Sequence, residues 1–455
     1  MLFIKMLHNM KLHHWPKSSV FAARRNEFLS RNLVYNSQDA SQLKFSLEES
    51  ISKLLDRRWT LEIPDTKVHQ ITLSVKQTST KSGIFGNVNF SMDAYPKLGD
   101  AMMDERCKDP SFYIIRDDLL HPFVNGNKAR KLDALLPIIE DCSGTDVVTC
   151  GGCQSAHATA VAVSCAERGL RSHLLLRGEQ PEILTGYNLV SSMYGNVTYI
   201  PRSIYTKREE MLLGQANAIA GNTGSVVWFT DILDSLSDLP SGRNCIRTNA
   251  YTSLEDGMKK VVIIKEGAGD AVALLGIIRL VRYLSQSHIL GKDRPYNFVI
   301  DSGTGTTAIG FALGALILNL PWKVTAVMLA DTLDGYKNQE NRLISDFKRY
   351  AASHLRNYTL KNDLVHWVNR RTPRKFGNVM EGEIKACQQV ANQTGVLVDP
   401  IYTLSAWELA VNLSQEQLDK EAKVVMLHTG GTLGMFGLAQ RYKSYFNTLK
   451  DGPPQ

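Results

Sequence analysis

The sequence predicts a two-domain α/β protein in which parallel sheets are flanked by helices. Short apolar segments typical of strands alternate with helical patterns, and these segments lie at residues 147–150, 171–176, 197–200, 297–301, 322–330, 363–368 and 424–428. The chain has 455 residues and 44% hydrophobic content, which corresponds to about two or three domains with a large core. Two of the predicted strands end in glycine-rich turns that open helices, the usual place for a binding site in this fold class.

The first element that carries chemistry is a lysine at the start of a predicted helix, Lys128 to Asp141. Its apolar residues fall mostly on one helical face. Arg130, Lys131 and Asp133 fall largely off that face. We expect the preceding Asn-Gly-Asn segment, residues 125–127, to form the turn and cap the helix. A solvated cation is the commoner explanation of a lone lysine, whereas partial burial would lower its pKa and yield a nucleophilic neutral amine.

The second element follows the first predicted strand, which ends in a glycine turn. Gln154, Ser155 and His157 are placed to offer side chains there, and the first N–H groups of the following helix could bind a carboxylate. A plain strand-to-helix turn explains the same pattern equally well. Cys150 and Cys153 form a C-x-x-C motif, but no second cysteine pair has the spacing to complete a zinc site.

The third element is the turn after the strand at residues 297–301, which opens a helix predicted from Ala308 to Leu318. Its backbone N–H groups, the helix N-terminus and three hydroxyls would together bind a phosphate dianion. The residues of this turn are Gly303, Thr304, Gly305, Thr306 and Thr307.

A dinucleotide site is the main alternative for the third element. Gly303, Gly305 and Ala308 fit the G-x-G-x-x-G/A fingerprint, and Asp331 follows the next predicted strand about where a ribose-binding acid is expected. The three hydroxyls suit a phosphate monoester better, and the turn lies late in the chain, after several strand–helix units. A Rossmann-type oxidoreductase therefore remains the remote alternative.

Six ordered motifs give the chain a resemblance to a known family. They are Arg116-Asp-Asp118, Gly126-Asn-Lys-Ala-Arg-Lys-Leu132, Gly151-Gly-Cys-Gln-Ser155, Gly303-Thr-Gly-Thr-Thr307, Asp399-Pro-Ile-Tyr402 and His428-Thr-Gly-Gly431. Over roughly Ile71 to Tyr442, the chain resembles the D-cysteine desulfhydrase and 1-aminocyclopropane-1-carboxylate deaminase family. Those enzymes use pyridoxal 5'-phosphate and have the tryptophan-synthase-β-like fold.

The resemblance implies a role for each motif. Lys128 would bond covalently to the cofactor, with Asn127 beside the ring oxygen, and Thr403 would face the pyridine nitrogen. The further cofactor-binding residues that it implies are Lys131, Gly303, Thr304, Gly305, Thr306 and Thr307. The implied substrate-binding residues are Gln154, Ser155, His157, Tyr402 and Thr429. Lys128, Ser155 and Tyr402 are the implied catalytic residues, and no metal is expected.

Two positions favour the desulfhydrase branch of the family. The deaminases have an acid after the Tyr402 position and a leucine after the His428 position, where this chain has Thr403 and Thr429. A hydroxyl does not hold a proton on the ring nitrogen as a carboxylate does, so a moderate electron sink suits elimination of thiolate. The predicted reaction is elimination from D-cysteine to hydrogen sulfide, ammonia and pyruvate, with the cyclopropane deaminase as the alternative.

Three positions depart from the family pattern. Ala156 replaces the usual asparagine after the serine, which removes one carboxylate donor. Phe376 stands where relatives often have tyrosine, and Asn125 replaces a glycine before the lysine motif. We expect these changes to affect the choice of substrate or the strength of the activity.

We expect a larger cofactor domain from residues 60–131 and 231–442, and a smaller domain, 132–230, that closes over the substrate. Residues 231–259 read as an inserted loop, and residues 443–455 as a C-terminal tail. By analogy with the family, the protein is expected to be a homodimer.

The net charge of +7 is concentrated near the N-terminus, where five basic residues precede the first acid, Glu27. Residues 1–40 resemble a mitochondrial transit peptide, so we expect a mitochondrial protein rather than a nucleic-acid-binding one. No apolar run is long enough to span a bilayer, and an amino acid is the expected small-molecule partner. The seven scattered cysteines indicate reduced thiols.

Overall fold

The computed structural model describes residues 49–75, 83–99, 109–124, 126–237, 258–352, 363–416 and 422–451. The predicted leader, residues 1–40, lies outside this part of the chain, and so does most of the predicted loop at 231–259. Residues 231–237 of that predicted loop are described, and they are helical. That stretch was therefore wrongly predicted as loop.

The described strands form two sheets. The larger sheet has seven strands, which are β1 Val68–Val75, β2 Val88–Asp93, β3 Ser111–Ile115, β9 Tyr296–Ser302, β10 Trp322–Met328, β11 Val365–Asn369 and β12 Lys423–Leu427. Their order across the sheet is β11-β10-β9-β12-β3-β1-β2. Strand β1 pairs antiparallel with β2 and β3, and the other pairs are parallel.

The smaller sheet has five parallel strands. They are β4 Asp146–Gly152, β5 Arg171–Arg177, β6 Asn196–Ile200, β7 Ser225–Trp228 and β8 Lys260–Ile263, in the order β6-β5-β4-β8-β7. Because β8 lies between β4 and β7, this sheet extends beyond residue 230, where we expected the smaller domain to end. Each of the seven strands predicted from the sequence is present; β1, β2, β3, β7 and β8 were not predicted.

Helices cover the sheets and connect the parallel strands. They are α1 Asn127–Asp141, α2 Ala156–Ala166, α3 Gly186–Tyr194, α4 Arg202–Tyr205, α5 Arg208–Ala220, α6 Phe229–Ser237, α7 Ala273–Leu284, α8 Thr306–Ile317, α9 Leu333–Tyr350, α10 Glu383–Thr394, α11 Thr403–Glu416, α12 Gly434–Arg441 and α13 Lys443–Asn447. Every residue of α8 is buried, as expected for a helix that packs within the core. In the described part of the chain, no helix is both long and apolar enough to cross a membrane.

Helix α1 differs from its predicted amphipathic pattern, because Arg130, Lys131 and Asp133 are all buried. Arg130 forms a buried ion pair with Asp117, 2.8 Å apart, and Asp133 pairs with Arg279 at 2.9 Å. Buried charges of this kind are tolerated only when they are paired and hydrogen-bonded. The pairing lets α1 pack on all sides, so it holds its first turn in a fixed position.

The carboxyl ends of β3, β9 and β12 lie at one edge of the larger sheet, because these strands are adjacent and parallel. Three of the six motifs follow these ends directly: the Arg116 motif, the Gly303 turn and the His428 motif. The fold therefore gathers segments that are far apart in sequence at a single edge, which is the usual location of a ligand site in parallel sheets.

Candidate active site

The turn before Lys128 is fixed by the backbone of the His428 motif. The N–H of Asn127 donates to the carbonyl of Thr429 at 3.0 Å, and the N–H of Gly126 donates to the carbonyl of Asp117 at 2.7 Å. The residue that caps α1 is Gly126, with φ 65°, and no side chain caps the helix. The cap therefore lies in the predicted segment, residues 125–127, and the side chain of Asn127 bonds to the lysine.

Lys128 has the chemistry of a reactive amine. Its Nζ donates to Oδ1 of Asn127 at 3.0 Å. Burial lowers the pKa of Lys128 to about 8, although the nearby carboxylate of Asp301 raises it. Desolvation outweighs the favourable charge of Asp301, so the population of the neutral amine is larger than for an ordinary solvated lysine.

The Gly303 turn provides donors for an anion. The hydroxyls of Thr304 and Thr306 are 3.1 Å apart, and the hydroxyl of Thr307 is buried without a protein partner. Lys131 lies beneath the turn, with Nζ 3.4 Å from Oγ1 of Thr304 and 3.1 Å from the carbonyl oxygen of Gly267. Burial and the neighbouring Lys128 lower the pKa of Lys131, and a bound anion would favour its charged form. This lysine, an unsatisfied hydroxyl and the N-terminus of α8 together fit a phosphate dianion.

Ser155 begins helix α2 as its N-cap. Its Oγ accepts a hydrogen bond from the N–H of Ala158 at 3.2 Å. In this bond the Ser155 hydroxyl acts only as an acceptor, so its own proton is not used. Ser155 can therefore still donate to a carboxylate at this helix terminus.

His157 lies next to this serine but is buried and uncharged. The Thr149 hydroxyl donates to the carbonyl of Ile264 at 2.9 Å, so Nε2 of His157 is the donor in its 3.0 Å bond to Thr149. Nδ1 is then an acceptor, and it has no protein partner. Burial, with repulsion from Lys128 and Lys131, lowers the pKa of His157 to about 3. In this tautomer Nδ1 can only accept a hydrogen bond, and the implied contact of His157 with the substrate stays a prediction.

Gln154 is used to hold the smaller domain together. Its Nε2 donates to the carbonyl of Thr185, and its Oε1 accepts from the N–H of Tyr187, each at 3.0 Å. Both ends of the amide are therefore bonded to the start of α3. In the described structure Gln154 therefore joins the β4–α2 turn to α3. Its contact with substrate stays a prediction.

Tyr402 lies beside the Gly303 turn. A side-chain carbon at Gly303 would lie 3.3 Å from Cε1 of Tyr402, and the tyrosine ring packs edge-on against Phe376 with centroids 5.5 Å apart. Burial raises the pKa of Tyr402, and repulsion from Asp399 and Asp301 adds to this effect. Its phenol therefore keeps its proton and can act as a donor.

The hydroxyl of Thr403 is hydrogen-bonded to Asp399. Its hydroxyl donates to Oδ2 of Asp399 at 2.9 Å and accepts from the N–H of Asp399 at 2.8 Å. The other carboxylate oxygen of Asp399 accepts from the N–H groups of Ile401 and Tyr402. This arrangement fixes the first turn of α11, and the implied contact of Thr403 with a ring nitrogen stays a prediction.

The carboxyl group of Asp301 was missed by the sequence analysis. Oδ1 of Asp301 accepts a 2.6 Å hydrogen bond from the hydroxyl of Thr429. Burial raises the pKa of Asp301 to about 7. The only signal in the sequence was a single acid at the end of an apolar strand, directly before a glycine turn.

The Arg116 motif lies beside the loop that carries Thr429, since Oδ1 of Asp118 is 3.7 Å from Nδ1 of His428. Arg116 binds Asp118 through two hydrogen bonds, at 2.9 and 2.7 Å. Nε2 of His428 donates to the carbonyl of Leu397 at 3.1 Å, and its Nδ1 accepts from the N–H of Gly430. These buried bonds hold the loop between β12 and α12 in place.

In the part of the chain that the structure describes, neither a metal site nor the ribose-binding acid of a dinucleotide site has structural support. Within the described ranges, no group of three or more His, Cys, Asp and Glu side chains could hold a metal ion. Cys150 is buried and Cys153 is partly buried, and both are free thiols. Oδ1 of Asp331 accepts from the N–H of Thr332 at 2.7 Å, so it closes its own turn.

The chain is similar to several known proteins, although no protein-family model matches it. A rice protein (Oryza sativa subsp. japonica) with the provisional name D-cysteine desulfhydrase 2, mitochondrial, is 52% identical over 395 residues, which cover 86% of this chain and 94% of the relative. An Arabidopsis thaliana protein named bifunctional D-cysteine desulfhydrase/1-aminocyclopropane-1-carboxylate deaminase, mitochondrial, is 26% identical over 334 residues, which cover 71% and 73% of the two chains.

The fold is shared with a solved structure. The crystal structure of a homologue of 1-aminocyclopropane-1-carboxylate deaminase matches with a TM-score of 0.57 and 22% identity, covering 74% of this chain and 89% of the other. This likeness, with the two sheets and their flanking helices, confirms the predicted fold class.

Proposed function

This chain belongs to the D-cysteine desulfhydrase and 1-aminocyclopropane-1-carboxylate deaminase family, and from that membership we propose that it is a pyridoxal-phosphate-dependent D-cysteine desulfhydrase. It would convert D-cysteine to hydrogen sulfide, ammonia and pyruvate. The observation that carries the proposal is the Lys128 amine, whose pKa is lowered to about 8. This amine is close enough to Lys131 to help lower the pKa of Lys131, and Lys131 contacts Thr304 in the anion-binding turn.

The residues of the turn fit the phosphate of the cofactor. Thr304, Thr306 and Thr307 would supply hydroxyl donors and Lys131 a positive charge, while Lys128 would supply the amine for the covalent bond. The unpartnered hydroxyl of Thr307 supports this assignment, because an unsatisfied buried donor is costly unless a ligand pairs with it. When bound, pyridoxal phosphate provides the electron sink that stabilises negative charge at the α-carbon of an amino acid.

The side chains around Lys128 would bind the substrate and move its protons. Once free of the cofactor, the Lys128 amine would take the α-proton, since a pKa of about 8 suits a base near neutral pH. Ser155 would donate to the substrate carboxylate at the start of α2. Tyr402, which keeps its proton, would protonate the departing sulfur.

The cyclopropane deaminase remains the second candidate. The Arabidopsis relative is named for both activities, so the two substrates must be compared directly. The desulfhydrase is favoured because the rice relative, which is 52% identical, is named for that activity alone. Ala156 and Phe376 are positions where substrate preference would be tuned.

We also propose a mitochondrial location and a homodimer with a small-molecule substrate. The rice and Arabidopsis relatives are both named mitochondrial, and the basic composition of residues 1–40 agrees with a targeting segment. The homodimer rests on the family alone.

Sulfide release from D-cysteine tests the proposed activity. The purified protein supplied with pyridoxal phosphate should release sulfide, and Lys128→Ala should abolish this release by removing the reactive amine. Lys207→Ala is the matched control, because Lys207 lies on the surface in an exposed ion pair. Equal sulfide release by wild type and Lys128→Ala, or no release by wild type, would overturn the proposal.

A further inference from the structure

A buried carboxyl group lies in the candidate site without an assigned role. Asp301 is the penultimate residue of β9, directly before Ser302 and the Gly303 turn, and it is only 3% exposed. A carboxyl group in such a position is costly unless it has a partner. Its described side-chain partner is Thr429, at 2.6 Å.

The groups that act on the charge of Asp301 come from three segments. They are Lys128 in α1, Thr429 in the loop after β12, and Asp399 and Tyr402 in the segment that leads into α11. Burial raises the pKa of Asp301 to about 7; repulsion from Asp399 adds to this, while the Thr429 hydrogen bond and the Lys128 charge oppose it. A positive charge bound beside Asp301 would therefore favour its ionised form.

The Asp301 bond fixes the polarity of the Thr429 hydroxyl. A hydroxyl has one proton to donate, and Thr429 gives that proton to Asp301. Its oxygen can then only accept a hydrogen bond from a bound molecule, so it suits an N–H group. The hydroxyl of Thr403 donates to Asp399 and accepts from the N–H of Asp399, so one of its two acceptor positions is already used.

We propose that Asp301, acting through Thr429, is a positioning residue that keeps the ring nitrogen of bound pyridoxal phosphate protonated. The inference rests on the proposed function, since it requires the cofactor. The ring N–H would donate to Thr429, which donates in turn to the Asp301 carboxylate. The positive ring and the negative carboxylate would stabilise each other through this hydroxyl. Asp301 would thus replace the acid that position 403 lacks.

The ¹⁵N chemical shift of a ring-labelled cofactor tests this proposal independently of activity. Wild type reconstituted with [¹⁵N]pyridoxal phosphate should show the shift of a protonated pyridine at pH 7. Asp301→Asn and Thr429→Val should move the signal towards that of unprotonated pyridine. Thr429→Ser retains the hydroxyl and should keep the wild-type shift, as should Thr403→Val, whose hydroxyl serves Asp399.

The outcomes separate this inference from the proposed function. If Asp301→Asn and Thr429→Val bind the cofactor with the wild-type shift, or if only Thr403→Val moves the shift, the role of Asp301 is disproved. If Asp301→Asn fails to bind the cofactor, the Thr429→Val and Thr429→Ser pair still decides the question. If wild type itself binds no cofactor, the proposed function fails first.

Discussion

The carbonyl oxygen of Thr429 occupies the space in which residue 126 would carry a side chain. A Cβ built on Gly126 would lie 1.6 Å from that oxygen. The same carbonyl accepts the N–H of Asn127, the residue before the reactive lysine. The position of Lys128 relative to Thr429 and Asp301 therefore depends on a close contact between two backbone segments, which only glycine permits.

Replacing Gly126 by alanine should disrupt the site. The substitution forces the Thr429 loop away and also strains a left-handed backbone, with a loss of unfolding free energy on the order of 4 kcal/mol. Gly169→Ala is the control, because Gly169 has a similar φ of 71° but no atom within 4 Å of the place that a Cβ would take. Denaturant unfolding should show only about 1–2 kcal/mol lost in the control. Equal losses in both variants would mean that the contact is unimportant.

Removing two hydroxyls from the Gly303 turn should weaken cofactor binding. Thr304→Val with Thr306→Val deletes two donors to the phosphate, each worth about 1.5–3 kcal/mol. The dissociation constant of pyridoxal phosphate, measured by absorbance titration, should rise at least about tenfold. Thr198→Val, on the exposed side of β6, should leave it unchanged. Unaltered affinity in the double variant would place the phosphate elsewhere.

The reactivity of Lys128 should depend on pH with a midpoint near 8. Because burial lowers its pKa from 10.5 to about 8, the neutral amine increases as the pH rises through that value. Acylation of the protein without cofactor, followed by peptide mapping, should show this midpoint. Asp301 raises the pKa of Lys128, so Asp301→Asn should shift the midpoint to lower pH. A midpoint near 10.5 would contradict the burial of the amine.

Introducing an acid at position 403 should damage the protein rather than convert its specificity. Thr403 is completely buried and bonded to Asp399, so Thr403→Glu would place a larger, like-charged group against that carboxylate. We expect a lower melting temperature, and the ratio of kcat/KM for D-cysteine to that for the cyclopropane substrate should stay above one, as in wild type. Thr403→Ser retains the hydroxyl and serves as the control. A stable Thr403→Glu protein that prefers the cyclopropane substrate would contradict this assignment.

The parts predicted well from the sequence depend on local patterns. Strands such as β9 and β10 are continuous apolar runs, and the Gly303 turn carries its own composition signal. Ion pairs between distant residues could not be predicted in this way. Arg130 and Asp133 were predicted to lie outside the apolar face of their helix. They are buried because Arg130 pairs with Asp117 and Asp133 pairs with Arg279.

Hydrogen-bond polarity could not be predicted from the sequence either. The family resemblance implied the roles of Thr403 and His157, but the residues bonded to them determine which atom donates. Asp399 uses both functions of the Thr403 hydroxyl, and Thr149 fixes the tautomer of His157. Asp301 was missed because a single acid in an apolar strand gives no periodic signal, and its partner Thr429 lies 128 residues away.

Borohydride trapping tests the central claim most directly, because that claim assigns the covalent bond with pyridoxal phosphate to Lys128. The protein supplied with the cofactor should be yellow, and reduction should abolish the visible band and leave one cofactor-derived mass on the peptide that contains Lys128. Lys131, three residues later and buried beneath the Gly303 turn, should stay unlabelled in fragment spectra. A colourless protein, or a label on Lys131 or another lysine, would contradict the account.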